Sequence, residues 1–303
     1  MKTDRRQFIK ASAAGTAALA AGAYAESTEK NAAKSEVFVG KGKPEDMLPR
    51  IVDKMGGIGR FVKPGSRVLI KPNMSFANPP EWATTTSPAV VKTMVQLCVD
   101  AGAKRVIVCD NTLRDPELCK QKTGIADALK DIKQAVVFIP KQDNLFTAKS
   151  SDKATALRNT MVVRELERAG TFISLPVTKS HSAAGVSLGL KGMMGLVKDR
   201  GAMHREMDLH TAIAELLYYM RPDLAIVDAG RALLDNGPGG PGKVVELNTY
   251  VGGTDPVAVD SYAVTLASWY GKTFEGKQVQ HIKIAGELGF GNVESSMIQE
   301  VTV

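Results

Sequence analysis

The sequence predicts an α/β fold with a mainly parallel, doubly wound sheet and helices on both of its faces. Two observations predict it. Short β-rich runs alternate with helical segments along most of the chain, the pattern of a sheet covered by its own connections. One stretch, 67–109, reads as a complete strand–helix–strand unit, whose two strands must run parallel. No internal repeat is present.

The N-terminus stands apart from that alternation. Arg5-Arg6-Gln7-Phe8-Ile9-Lys10 precedes an alanine-dominated apolar run that ends in Ala23-Tyr24-Ala25, a small-residue pattern of the kind a signal peptidase cuts. The segment resembles a twin-arginine export signal, which implies passage of an already folded protein through the twin-arginine translocase. The run from Ala11 to Ala25 falls short of the roughly 20 apolar residues that span a bilayer. The expectation is therefore a signal over 1–25 cleaved near Ala25, and a soluble periplasmic or otherwise extracytoplasmic product. Residues 26–36 are polar and read as a flexible linker, leaving 37–303 as a single α/β domain.

Within that domain, Lys63-Pro64-Gly65-Ser66 is a turn introducing the strand Arg67–Lys71. Ser87-Pro88 then opens a helix, with serine as cap and proline in the first turn, and Ala101-Gly102 closes it. Arg105–Cys109 is the partner strand, and Ala135–Ile139 is a strand further out in the sheet. The segment Met161–Ala169 reads as helical and leads through Gly170 into a strand over Thr171–Leu175. Leu209–Met220 is a helix that Asp208 can cap. Leu224–Val227 is a strand, Val244–Val251 an edge strand, and Pro256–Tyr270 a helix capped by Asp255.

Charge and cysteine content exclude several functions. The net charge of +7 falls to about +4 once the signal is removed, because the signal holds four basic residues against Asp4. No arginine-rich stripe with interleaved aromatics appears, so nucleic acid is not the expected partner. Cys98, Cys109 and Cys119 are odd in number and match no iron–sulfur or four-ligand zinc spacing, which argues against a cluster bound by this chain alone. A bond between Cys109 and Cys119 stays open.

Four apolar runs finish in polar groups: Lys71-Pro72-Asn73, Asp110-Asn111, Thr178-Lys179-Ser180-His181, and Asp228. Parallel strands would bring these ends to one edge of the sheet, where open α/β folds bind ligands. The stretch from Ser182 to Ser187 is rich in small residues that let backbone approach a ligand. A helix starting near Ala184 would add free N–H groups for an anion, with Lys179 and Lys191 supplying charge. The spacing is not that of a P-loop.

Lys71-Pro72-Asn73, Lys179-Ser180-His181, Leu190-Lys191-Gly192, His204, Ala225–Asp228, the glycine–proline run Gly237–Gly242 and Asp255–Asp260 occur in that order. Together they resemble the family called domain of unknown function 362, over about Val68 to Ala267. The resemblance implies a family and candidate positions but no established reaction. Relatives often carry asparagine where this chain has Gly192, and some carry a ferredoxin-like cysteine module that this chain lacks.

Roles follow from residue chemistry. His181, His204 and His210 are candidate ligands for a mononuclear metal, and His181 and His204 are also candidates for proton transfer. His281 reads as a solvated loop histidine. Asp260 lies one turn into an apolar helix and needs a partner if buried, for which Lys71 or Lys179 is suited. The expected catalytic set is His181, His204, Lys179 and Asp260. The expected ligand-binding set is Lys71, Asn73, Ser180, Lys191 and Asp228. The functional expectation is an exported enzyme that takes a small anion at the strand ends, assisted by a metal or other cofactor. The alternative is a non-catalytic binding or redox-accessory protein with a redox partner.

Overall fold

Strand β2 (Arg67–Pro72) shows why the sheet is covered on both sides. After Arg67 every residue in it is buried, and alternate side chains enter different cores. Val68 and Ile70 pack in one apolar cluster, while Leu69 packs in the other. The computed structural model describes residues 33–303, and 35–303 form one unit.

The sheet contains β1 (Ser35–Lys41), β2, β3 (Arg105–Cys109), β4 (Ala135–Phe138), β7 (Thr171–Leu175), β8 (Val177–His181), β9 (Gly185–Ser187), β10 (Leu224–Leu233), β11 (Val244–Gly253) and β12 (Ile298–Thr302). Its order is β12-β1-β11-β10-β7-β2-β3-β4, with β8 beside β10 and β9 beside β8. From β10 to β4 all pairings are parallel, as are β8 with β10 and β1 with β12. Only β11 and β9 pair antiparallel with their neighbours. A separate hairpin joins β5 (Phe146–Ser150) to β6 (Asn159–Val163).

Helices Pro44–Lys54 and Pro88–Asp100 cover one face of the sheet. Their buried Leu48, Ile51, Val91, Met94 and Val95 meet Val68, Ile70, Val106 and Val108. Helices Leu209–Glu215, Pro256–Val264 and Gln280–Glu287 pack in the core of the opposite face, with Leu69 and Ile107. The α/β fold with a mostly parallel sheet is thus established, and β2–helix–β3 is the parallel unit read in the sequence. Among the described residues no helix is long and apolar enough to cross a membrane.

Several elements differ from expectation. The signal, its cleavage point and 26–32 lie outside the described residues, but Ser35 and Glu36, assigned to the linker, already belong to β1. The segment 161–163, expected to open a helix, instead completes β6 (Asn159–Val163), whose Thr160, Val162 and Val163 are β-branched and pair with β5; of the expected helix only Glu165–Arg168 forms. Strand β11 lies between β1 and β10 rather than at an edge. The 256 helix stops at Val264. No helix starts at Ala184; β9 occupies 185–187 and a single turn follows over Gly189–Gly192. Strand β10 does not end at Asp228 but continues past an irregularity between Ala229 and Arg231 to Leu233. All three cysteines are free and buried.

Candidate functional site

The C-terminal ends of β2, β3 and β8 open into a cavity of about 350 Å³. Lys71 and Asn73 enter it from β2 and the turn after it, and Asp110 from the end of β3. Lys179 and His181 come from β8, Lys191 from the turn 189–192, and Arg200 and His204 from the helix Arg200–Arg205. Four basic side chains therefore surround one carboxylate.

One oxygen of that carboxylate is hydrogen-bonded and the other, without a hydrogen bond, faces a lysine. Asp110 Oδ2 accepts from Met74 N at 2.9 Å and Ser75 Oγ at 2.8 Å, while Oδ1 lies 3.2 Å from Lys71 Nζ. Lys71 also donates to the Pro72 carbonyl. Burial lowers the Lys71 pKa, and Asp110 acts against that shift. Gly195 closes over the pair so tightly that a Cβ there would stand 2.0 Å from Asp110 Oδ1 and 2.5 Å from Lys71 Cε.

The remaining cations lack a carboxylate partner. Lys179 donates to the Thr84 carbonyl at 2.6 Å and lies 5.2 Å from the centre of the Phe76 ring. Lys191 makes no hydrogen bond or ion pair among the described residues. Burial, reinforced by the neighbouring cations, pulls both lysines down to about 7. Arg200 donates to Ser75 Oγ at 3.3 Å and to the Asn111 carbonyl, so it is oriented by neutral acceptors. Asn73 Oδ1 accepts from Val177 N at 2.8 Å, and its Nδ2 amide, on the cavity wall, makes no hydrogen bond among the described residues.

His181 and His204 lie side by side, with ring centres 6.1 Å apart and planes 7° from parallel. Nδ1 of His181 accepts from Ala183 N at 3.1 Å and from Ala184 N at 3.2 Å. His204 sits exposed at the rim. Desolvation and then Lys191 lower the pKa of both, and that of His181 falls to about 2.

Other expected site residues have structural duties away from the cavity. Asp260 is fully buried, but its partners are neither Lys71 nor Lys179. Its two oxygens accept from Gly189 N at 2.9 Å and Leu190 N at 2.8 Å, fixing the turn that presents Lys191. Desolvation raises its pKa to about 7. Asp228 accepts from Ser87 N and Gly230 N at 2.8 and 3.0 Å, anchoring the start of helix 88–100 in place of the Ser87 side chain. Ser180 Oγ accepts from Gly237 N at 3.0 Å and holds the glycine–proline loop, whose Pro238 reaches the cavity.

The proposed histidine trio is not assembled. His210 stacks instead on His281, 6.0 Å between centres. His281 is completely buried in helix Gln280–Glu287, not a solvated loop residue, and among the described residues neither of its ring nitrogens has a hydrogen-bond partner; nor does His210 Nδ1. Among the described residues no three His, Cys, Asp or Glu side chains converge as a metal site requires. Arg200, Ser75, Phe76 and Gly195 were not singled out from sequence. Of these, Arg200 carried a usable signal, the polar run Lys198-Asp199-Arg200 directly after the glycine-rich segment.

The sequence pattern of the family described as domain of unknown function (DUF362) matches residues 68–265. That of the twin-arginine translocation pathway signal matches residues 2–22. A thylakoid-associated protein from Synechocystis sp. is 30% identical over 198 residues, 63% of this chain, and the chain spans about 60% of that relative's length. Two solved structures, each 12% identical, are similar in fold. One is a protein from Thermotoga maritima, with a TM-score of 0.46 over 82% of this chain and 60% of that one. The other is the lactate racemase apoprotein from Thermoanaerobacterium thermosaccharolyticum, with a TM-score of 0.48 over 74% and 55%.

Proposed function

Since this chain belongs to the DUF362 family and carries a signal for export by the twin-arginine translocase, we propose, from the cavity itself, that it is an extracytoplasmic enzyme acting on a small oxyanion. The observation that carries this reading is the imbalance at the strand ends. Lys71, Lys179, Lys191 and Arg200 face a cavity whose single carboxylate, Asp110, is already held by Lys71, Met74 and Ser75. Lys191 Nζ and Asn73 Nδ2 make no hydrogen bond there among the described residues, and both are donors, so they favour a ligand rich in acceptors; the one unbonded carboxylate oxygen, Asp110 Oδ1, already faces Lys71 Nζ. A carboxylate or phosphate supplies those acceptors and restores charge balance.

Catalysis rather than storage is supported by the lysines. An amine near pKa 7 exchanges protons readily at neutral pH, and such tuning characterises general acid–base groups. Lys191 has no internal partner to break, so it is the group assigned to proton transfer. Lys71, Asn73 and Arg200 position the anion. The periplasm, or the equivalent compartment beyond the translocating membrane, is the proposed place of action.

The test is calorimetric titration of the purified mature protein with sulfate, phosphate, and small mono- and dicarboxylates. At least one should bind, and Lys191→Met should weaken it more than tenfold. Absence of binding across the panel, or full affinity in the variant, would sink the proposal.

A further inference from the structure

We infer that His181 serves this site as a neutral hydrogen-bond donor through Nε2, so that the ligand places an acceptor oxygen against it. The ligand half of this inference rests on the oxyanion reading above; the tautomer half does not.

Two backbone N–H groups, those of Ala183 and Ala184, both point at His181 Nδ1, at 3.1 and 3.2 Å. A ring nitrogen that accepts hydrogen bonds uses its lone pair and carries no proton. A neutral imidazole has a single N–H, which must then sit on Nε2. The turn is local, from residue 181 to 183 and 184, so it is set by the chain and not by a distant contact.

Protonating Nδ1 would turn two attractive contacts into donor–donor repulsion. The charged and titratable groups around the ring also oppose it. They are Lys179 on the same strand, Lys191 from the turn 189–192, His204 from helix Arg200–Arg205, and His281 from helix Gln280–Glu287. All are basic, and each lowers the tendency of the ring to take up a proton.

Two consequences follow for the chemistry. Through Nε2, His181 offers a proton and no lone pair, so it is neither a metal ligand nor a general base towards the cavity. It is instead suited to polarise a carbonyl or carboxylate oxygen, as neutral imidazole donors do elsewhere. The ligand class narrows to oxyanions that keep an unprotonated oxygen for Nε2–H while the lysines take the charge.

Nitrogen NMR of protein labelled with ¹⁵N-histidine tests this first without any ligand, from about pH 5 to about pH 8. Nδ1 of His181 should resonate as an unprotonated acceptor and Nε2 as N–H throughout, with no titration. Subtracting the spectrum of His181→Gln assigns the signals. Should that variant not fold, correlations to the side-chain carbons of uniformly labelled protein assign them instead. A proton on Nδ1, or a midpoint inside that pH range, overturns the inference. Sulfate is then added. A shift of the Nε2 resonance that saturates with the calorimetric binding curve supports the ligand half. Binding without that shift refutes the ligand half, and absence of sulfate binding removes it while leaving the tautomer standing.

Discussion

Sulfate affinity should fall steeply as pH rises above neutrality, by an amount set by two lysines. Lys179 and Lys191 drop from 10.5 to about 7 in the empty site, so above that pH each is mostly an uncharged amine. Sulfate, whose own charge is constant over this range, binds the ammonium forms, and binding must draw protons from solution. Each lysine that has to be charged in the complex costs about tenfold in affinity per pH unit above about pH 7. Two together approach about a hundredfold per unit. Isothermal titration at about pH 6.5, 7.5 and 8.5, in buffers of contrasting ionisation heat, measures affinity and proton uptake together. Lys191→Met should reduce the slope towards about tenfold per unit, with Lys179 titrating higher once a neighbouring cation is gone.

The same lysines set the stability of the empty protein. Between about pH 7 and pH 10.5 the folded chain binds fewer protons than the unfolded one, so their contribution to stability rises with pH across that window. Below about pH 7 both states are protonated and the folded state bears the full cost of the buried charges. Saturating sulfate should flatten this profile. An affinity constant within about threefold from pH 6.5 to 8.5, with no proton uptake, would refute the reasoning.

Three further perturbations separate support from chemistry. Gly195→Ala forces a methyl onto the Lys71–Asp110 pair and should cost about 1–3 kcal/mol in urea unfolding along with sulfate binding; unchanged stability would mean that the loop yields freely. Asp260→Ala strands the N–H groups of Gly189 and Leu190 in the interior, an expected loss of about 2–5 kcal/mol by urea unfolding. A loss under about 1 kcal/mol would show that Asp260 does not hold that turn. His281→Leu removes two buried nitrogens that have no partner and should stabilise the protein by about 1–2 kcal/mol in thermal unfolding. A loss of similar size would show that those nitrogens are satisfied in solution.

Much of the site was legible because it lies where strands end. A lysine or aspartate near the end of a mostly apolar run has few places to go but the sheet edge, and Lys71, Asp110 and Lys179 all reach the cavity. Asp228 looked the same in sequence and is not, because β10 continues past it and turns its carboxylate to the start of helix 88–100. Burial alone did not separate function from support either. Asp260 needed a partner, but two backbone amides from a turn 70 residues away were invisible to spacing. His281 was misjudged because a helix of modest apolar content carried it into the core. Residues 159–163 show the local limit, since their partner strand β5, not their own pattern, decides their conformation.

The occupancy of Asp110 has a consequence for how a ligand arrives. Its Oδ2 is held by Met74 and Ser75 and its Oδ1 faces Lys71, and among the described lining residues there is no second carboxylate to welcome a cation. Phosphates and polycarboxylates outside the cytoplasm travel partly as chelates of divalent ions. A chelated anion would carry its metal among Lys71, Lys179, Lys191 and Arg200, where like charges repel it in a poorly screened space. If the cavity takes the proposed oxyanion, it would sample the unchelated fraction, and added magnesium or calcium should compete by withdrawing that anion from solution rather than by touching the protein.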